Sequence, residues 1–148
     1  MKPILAVMVG ISGSGKSFFS TGLQSSLGAK LVQTDAIRQE LTGDATDQTQ
    51  NHRVFSIARR RVNDELAQGK NVIIDATSLN VKDRKDWVEI GRVNNAEIRA
   101  YYVDVSINVA KERNAKRARQ VPEWVIDKQL NKLQPPTREE GFDSVTKV

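Results

Sequence analysis

The eight residues Gly10-Ile11-Ser12-Gly13-Ser14-Gly15-Lys16-Ser17 constrain this chain more than any other stretch. They match the pattern of a glycine, four free positions and then Gly-Lys-Ser/Thr that wraps a phosphate group. Such a loop needs a strand before it and a helix after it. Residues 3–9 are a short apolar run suited to a buried parallel strand, and residues 18–27 carry helical periodicity. Between them, Gly13 and Gly15 let the backbone turn its N–H groups toward one point, where the following helix adds a positive partial charge. A plain Gly/Ser turn capping a helix, with Lys16 solvated, is the competing reading, but all four fixed positions and both flanks agree with the phosphate loop. The sequence therefore predicts a site for ATP or another nucleoside triphosphate, cradled by Gly10, Ser12, Gly13, Ser14, Gly15, Lys16 and Ser17. Lys16 is expected at the β- and γ-phosphate oxygens, and the Ser17 hydroxyl on a Mg²⁺ ion bridging them.

Strand and helix signals alternate along the rest of the chain. Strands are expected at residues 29–33, 71–75 and 97–103, with a final edge strand at 144–148. Helices are expected after Thr34-Asp35 through Leu41, at 50–68, around Arg84, Trp87 and Ile90, at 107–118 and at 123–133. Right-handed crossovers then give an α/β domain of the P-loop NTPase kind, a three-layer sandwich with a mostly parallel sheet and helices on both faces. Ligands of such sheets bind beyond the carboxyl ends of the strands. Gly10, Thr34-Asp35, Asp75-Ala76-Thr77 and Asp104 all fall at predicted strand ends, and are expected around one crevice.

Composition narrows the class. The 148 residues are expected to form one domain, 1–148, and the absence of cysteine excludes a disulfide framework, a thiolate zinc site and a thiol nucleophile. No signal peptide or membrane span is legible, so a cytoplasmic location without membrane contact is expected, and no obligate protein partner is evident. A net charge of +5 favours a polyanionic partner, although this signal alone is weak.

Individual polar residues carry two readings each. Asp35 stands between a strand and a helix, where a carboxylate either accepts a proton from an alcohol facing the γ-phosphate or caps the helix; the residues alone leave both open. Arg38, one turn on, projects toward the same crevice or pairs with Asp35. Arg113 and Arg117, four apart on an expected helix, share a face and have no acidic neighbour three or four positions away, whereas Glu112 and Lys116 form an ordinary helical pair. Asp75 closes an apolar strand and is read as a Mg²⁺ contact through water, or as a strand-end turn former. Arg59-Arg60-Arg61 cannot form one compact basic face, because successive helical residues point about 100° apart. His52 lacks a cluster at ligand spacing and reads as solvated or capping. Trp87 and Trp124 sit at core spacing and read as packing rather than base-stacking residues.

Four segments in this order resemble the P-loop kinases related to bacteriophage and bacterial polynucleotide 5′-hydroxyl kinases. They are the loop at 10–17, Asp35-Ala36-Ile37-Arg38, Ile74-Asp75-Ala76-Thr77-Ser78-Leu79-Asn80 with Arg84, and Glu112-Arg113-Asn114-Ala115-Lys116-Arg117. The resemblance implies Asp35 as general base and Arg38 on the phosphate 3′ to the accepting sugar. It also implies a helical lid whose Arg113 and Arg117 close over the triphosphate, Arg113 stabilising the transferring group, and acceptor positioning by Thr77 and Arg84. The activity implied is ATP·Mg²⁺-dependent transfer to the 5′-hydroxyl end of DNA or RNA. The chain departs from the relatives at Ser78, where they commonly have Asn, and these residues include no phosphatase or ligase domain. Two other readings remain open: a kinase of the same architecture for a small alcohol, a nucleoside or a tRNA-linked amino acid, and a nucleotide-dependent ATPase switch. Against the switch, Asn131-Lys132-Leu133-Gln134 lacks the acid of a guanine-recognition motif.

Overall fold

Leu5 and Val7 face one side of the sheet while Ala6 and Met8 face the other, the pattern of a strand buried on both sides. This strand, β1 (Ile4–Val9), is central in a computed structural model that describes residues 2–148. The others are β2 (Lys30–Gln33), β3 (Val72–Asp75), β4 (Glu97–Tyr102) and β5 (Ser144–Lys147), in the order β2-β3-β1-β4-β5. Every pairing is parallel, with Ala6 opposite Ile73 on one side and Arg99 on the other.

Helices cover both faces, as expected. Val54, Ala58, Val62 and Leu66 of α3 (Asn51–Ala67) and Trp87 of α4 (Val81–Val93) pack with Leu5, Val7 and Ile74. On the opposite face α1 (Lys16–Leu27) places Phe19, Leu23 and Leu27 against Ala6, Met8 and Ile73. The short α2 (Thr34–Thr42) runs directly out of β2. A third apolar cluster forms beyond the carboxyl ends of the strands, where Ala110 of α5 (Ile107–Ala115) and Ile126 of α6 (Glu123–Lys132) meet Ile11 and Leu79. This helical pair is the segment expected to form the lid. Among the described residues, no helix is long and apolar enough to cross a membrane.

Two expectations need correction. The helix expected at 107–118 stops at Ala115, because the Asn114 side chain donates to the Val121 carbonyl (2.7 Å) and accepts from the Val121 amide (3.0 Å), folding the chain back. Arg117 therefore lies in the connecting loop and does not share a helix face with Arg113. Arg84, expected at the acceptor, is fully buried. Its guanidinium grips both oxygens of Glu140 (2.7 and 2.9 Å) and donates to the Ser78 carbonyl (2.9 Å). Arg84 thus joins α4, the loop after β3 and the 3-10 turn Arg138–Glu140, and it does not line the crevice.

Candidate functional site

The glycine-rich loop leaves β1 through Gly10, whose amide donates to the Thr77 carbonyl at 3.1 Å and so fixes the loop beside the end of β3. Gly13 and Gly15 take φ of 81° and 93°, a left-handed region that residues with a side chain rarely occupy. The result is a concave backbone in which the amides of Gly13, Gly15, Lys16 and Ser17 have no intramolecular acceptor among the described residues. Gly15 caps α1 without any side-chain bond, so the helix N-terminus opens into this concavity. Unpaired amides at a helix start form an anion site.

A crevice of ≈ 1330 Å³ runs from this loop to α2, α3, α4 and α6. Asp75 lies at its base, buried, and three side chains converge on its Oδ2: the Ser17 hydroxyl (3.0 Å), the Ser20 hydroxyl (3.2 Å) and the Gln33 amide (3.2 Å). A hydroxyl beside a carboxyl group is a hard-oxygen arrangement suited to Mg²⁺. No cluster of three His, Cys, Asp or Glu side chains exists among the described residues, so an ion here would need phosphate oxygens and water as its remaining ligands.

Asp35 sits at the end of β2, with β3 between it and the loop strand β1. Asp35 and the loop line the same crevice. The helix cap is Gln33 rather than Asp35, so the capping reading does not describe this residue. Its half-exposed carboxylate accepts from Arg38 Nη1 at 2.8 Å. Arg38 is buried, and its Nε and Nη2 donate to Asn51 Oδ1 at 3.2 and 2.9 Å. Asp35 is thereby aimed by an arginine that α3 itself holds. Both readings of Arg38 lead to one place: it lines the crevice and pairs with Asp35.

The lid closes onto the loop through three contacts. Arg113 Nη1 donates to the Ser14 carbonyl at 2.8 Å, and a Cβ at Gly13 would lie only 2.3 Å from the Ala110 carbonyl oxygen. Gln129 of α6 accepts from the Ser12 amide (2.7 Å) and donates to the Ser12 hydroxyl (3.0 Å). Arg117 lines the crevice without an acidic partner among the described residues, as do Thr77 and the partly buried Lys16. Beside the crevice-lining Thr46, Asp44 accepts from the Thr46 hydroxyl and amide, which hold its carboxyl below the ordinary range.

Other residues are placed differently from expectation. Asp104 does not face the crevice; it meets Lys147 at 3.0 Å on the β4–β5 side. Trp87 is buried in the core as expected, whereas Trp124 is 64% exposed on the crevice rim. His52 is exposed at the start of α3, and the three consecutive arginines diverge, Arg59 toward Asp86 and Arg61 toward Glu40. Asn51 and Gln129 escaped the sequence reading, because a lone amide carries no motif.

The sequence signature of the AAA-domain family matches residues 5–136. A bifunctional polynucleotide phosphatase/kinase from Schizosaccharomyces pombe is 26% identical over 149 aligned residues, which cover 97% of this chain and 33% of that protein. The structure of the Pnkp1/Rnl/Hen1 RNA repair complex contains a chain that superposes with a TM-score of 0.80 at 27% identity, over 96% of this chain and 47% of that one. A gluconokinase from Sinorhizobium meliloti shares the fold, with a TM-score of 0.69 at 22% identity over 99% of this chain and 82% of that one. The chain therefore spans a third of the curated relative and about half of the repair-complex chain.

Proposed function

From a chain that belongs to the AAA-domain family and has the P-loop kinase fold, we propose an ATP- and Mg²⁺-dependent kinase that transfers the γ-phosphoryl group to the 5′-hydroxyl of DNA or RNA. The observation that carries this reading is the meeting of the phosphate loop, Asp75, Asp35 and Arg113 in one crevice. The similarity to a polynucleotide phosphatase/kinase supports the choice of acceptor.

In this reading the loop amides and Lys16 hold the triphosphate, and Arg113, already against Ser14, neutralises charge on the transferring group. Ser17 and Asp75 would hold Mg²⁺, which would supply positive charge to the phosphates of the donor. Asp35 accepts the hydrogen bond of the 5′-hydroxyl and takes its proton as the alcohol oxygen bonds to the γ-phosphorus and the bridging oxygen leaves with ADP. Because that transfer is largely dissociative, Asp35 chiefly orients the nucleophile, and the Asn51–Arg38–Asp35 chain supplies the orientation. An acceptor phosphate would take the two N–H groups of Arg38 that Asn51 and Asp35 leave free, so the chain stays in place. Thr77 borders the acceptor side of the loop, and Arg117 reaches the phosphates from the lid connection.

The test is incubation with γ-labelled ATP and Mg²⁺ in the presence of matched oligonucleotides ending in 5′-hydroxyl or 5′-phosphate, beside ribonucleosides and gluconate. Label is expected on the 5′-hydroxyl oligonucleotide alone. Label on a nucleoside or on gluconate, but never on that oligonucleotide, contradicts the proposed acceptor.

A further inference from the structure

We propose that the crevice-facing side of α6, carrying Trp124, Lys128 and Lys132, is a platform for the single strand that trails the accepting 5′ end. Trp124 stacks on a base there and the lysines meet backbone phosphates. The inference rests on the kinase reading and deepens it, since it makes the acceptor a polymer rather than a lone alcohol.

The sequence spacing groups these residues. They lie four apart, so they follow one another along one side of the helix, while Ile126 on another side is fully buried in the lid cluster. Trp124 is 64% exposed, in contrast to Trp87 at 2%. An indole is among the largest apolar surfaces a protein can leave in water, and base faces are natural partners for it. The charge around it is of matching kind. Lys128 and Lys132 have no acidic partner within salt-bridge reach among the described residues; of the two acids on the helix, Asp127 is occupied by Lys111 at 2.9 Å, and neither it nor Glu123 lines the crevice. The acids lining the crevice are Asp35, Asp75, Asp83 and Asp86, of which Asp35 pairs with Arg38 at 2.8 Å and Asp86 with Arg59 at 3.7 Å.

The platform is also held in register with the site. Gln129, on the same helix, grips Ser12 of the phosphate loop through two bonds. Just beyond the helix, the Gln134 amide donates to the Leu79 carbonyl (2.7 Å) and its side chain accepts from the Val81 amide (3.0 Å). The C-terminal half of α6 is thus tied both to the donor loop and to the loop that follows Thr77. A strand whose first sugar lies at Asp35 has Trp124, Lys128 and Lys132 in the lining of the same crevice, with stacking and phosphate contacts both available. A sugar alcohol or free nucleoside would leave it unused.

The experiment compares a ten-nucleotide 5′-hydroxyl oligonucleotide with a nucleoside 3′-monophosphate as acceptors, in the parent protein and in Trp124→Ala and Trp124→Phe. The parent is expected to favour the oligonucleotide in KM by about tenfold or more, the scale of one stacked base; Trp124→Ala removes that preference and Trp124→Phe keeps most of it. In parallel, the unlabelled oligonucleotide quenches the tryptophan emission of the parent but not of Trp124→Phe, and the apparent affinity falls as salt rises. An oligonucleotide preference that survives Trp124→Ala, or a matching loss in KM for ATP, overturns the platform while leaving the kinase reading intact. Quenching through Trp124 without any transfer of label leaves the platform standing and overturns the kinase reading.

Discussion

Asp35→Asn is expected to leave ATP affinity within about twofold of the parent and to lower kcat for transfer to a 5′-hydroxyl end by roughly 10²–10⁴, the range of a lost general base. The substitution preserves shape and still offers Arg38 an acceptor oxygen, so the Asn51–Arg38 network persists. What disappears is the charge that takes the hydroxyl proton. Asp35 is separated from the phosphate loop by the whole of β3, which is why donor binding is expected to be indifferent to the change. Nucleotide titration and steady-state transfer, measured side by side, check this. Turnover at the parental rate would remove Asp35 as the base.

The largest effect on stability is expected from Arg84→Met. The substitution strands the buried Glu140 carboxylate and frees the Ser78 carbonyl, and breaking a buried pair in this way costs about 3–5 kcal/mol. At about 2–4 °C per kcal/mol for a chain of this size, the melting temperature falls by roughly 6–20 °C. Pairing the change with Glu140→Leu removes the stranded charge and is expected to recover most of the loss. Thermal denaturation of the single and double variants measures both. A single variant that melts like the parent would mean that Arg84 is not the structural tie its burial indicates.

These two residues mark where sequence reading succeeds and where it stops. The phosphate loop, the parallel strands and the carboxylates ending β2 and β3 are legible because each is a local pattern: an apolar run, a turn residue, then a polar group in the next one or two positions. Stacking such units side by side brings their ends together without further information. Arg84 defeats that logic, since its partner Glu140 is 56 residues away and nothing near either residue advertises the pair. The end of α5 is set by Asn114 reaching Val121, a choice no helical propensity records. Trp124 has the spacing of a core residue, and periodicity cannot tell a face buried in the lid from one turned to the crevice. Gln129 and Ser12 lie 117 residues apart, and only the folded lid makes them neighbours.

The central claim is that donor and acceptor meet in this crevice with the alcohol between Asp35 and the terminal phosphate. A crystal structure of the protein with a non-hydrolysable ATP analogue, Mg²⁺ and a short 5′-hydroxyl oligonucleotide measures this directly. The account expects the 5′ oxygen within hydrogen-bond reach of the Asp35 carboxylate and in line with the γ-phosphorus, with Arg113 on the γ-phosphate. An oligonucleotide bound with its 5′ oxygen away from Asp35, or a triphosphate outside the loop at 10–17, would contradict it.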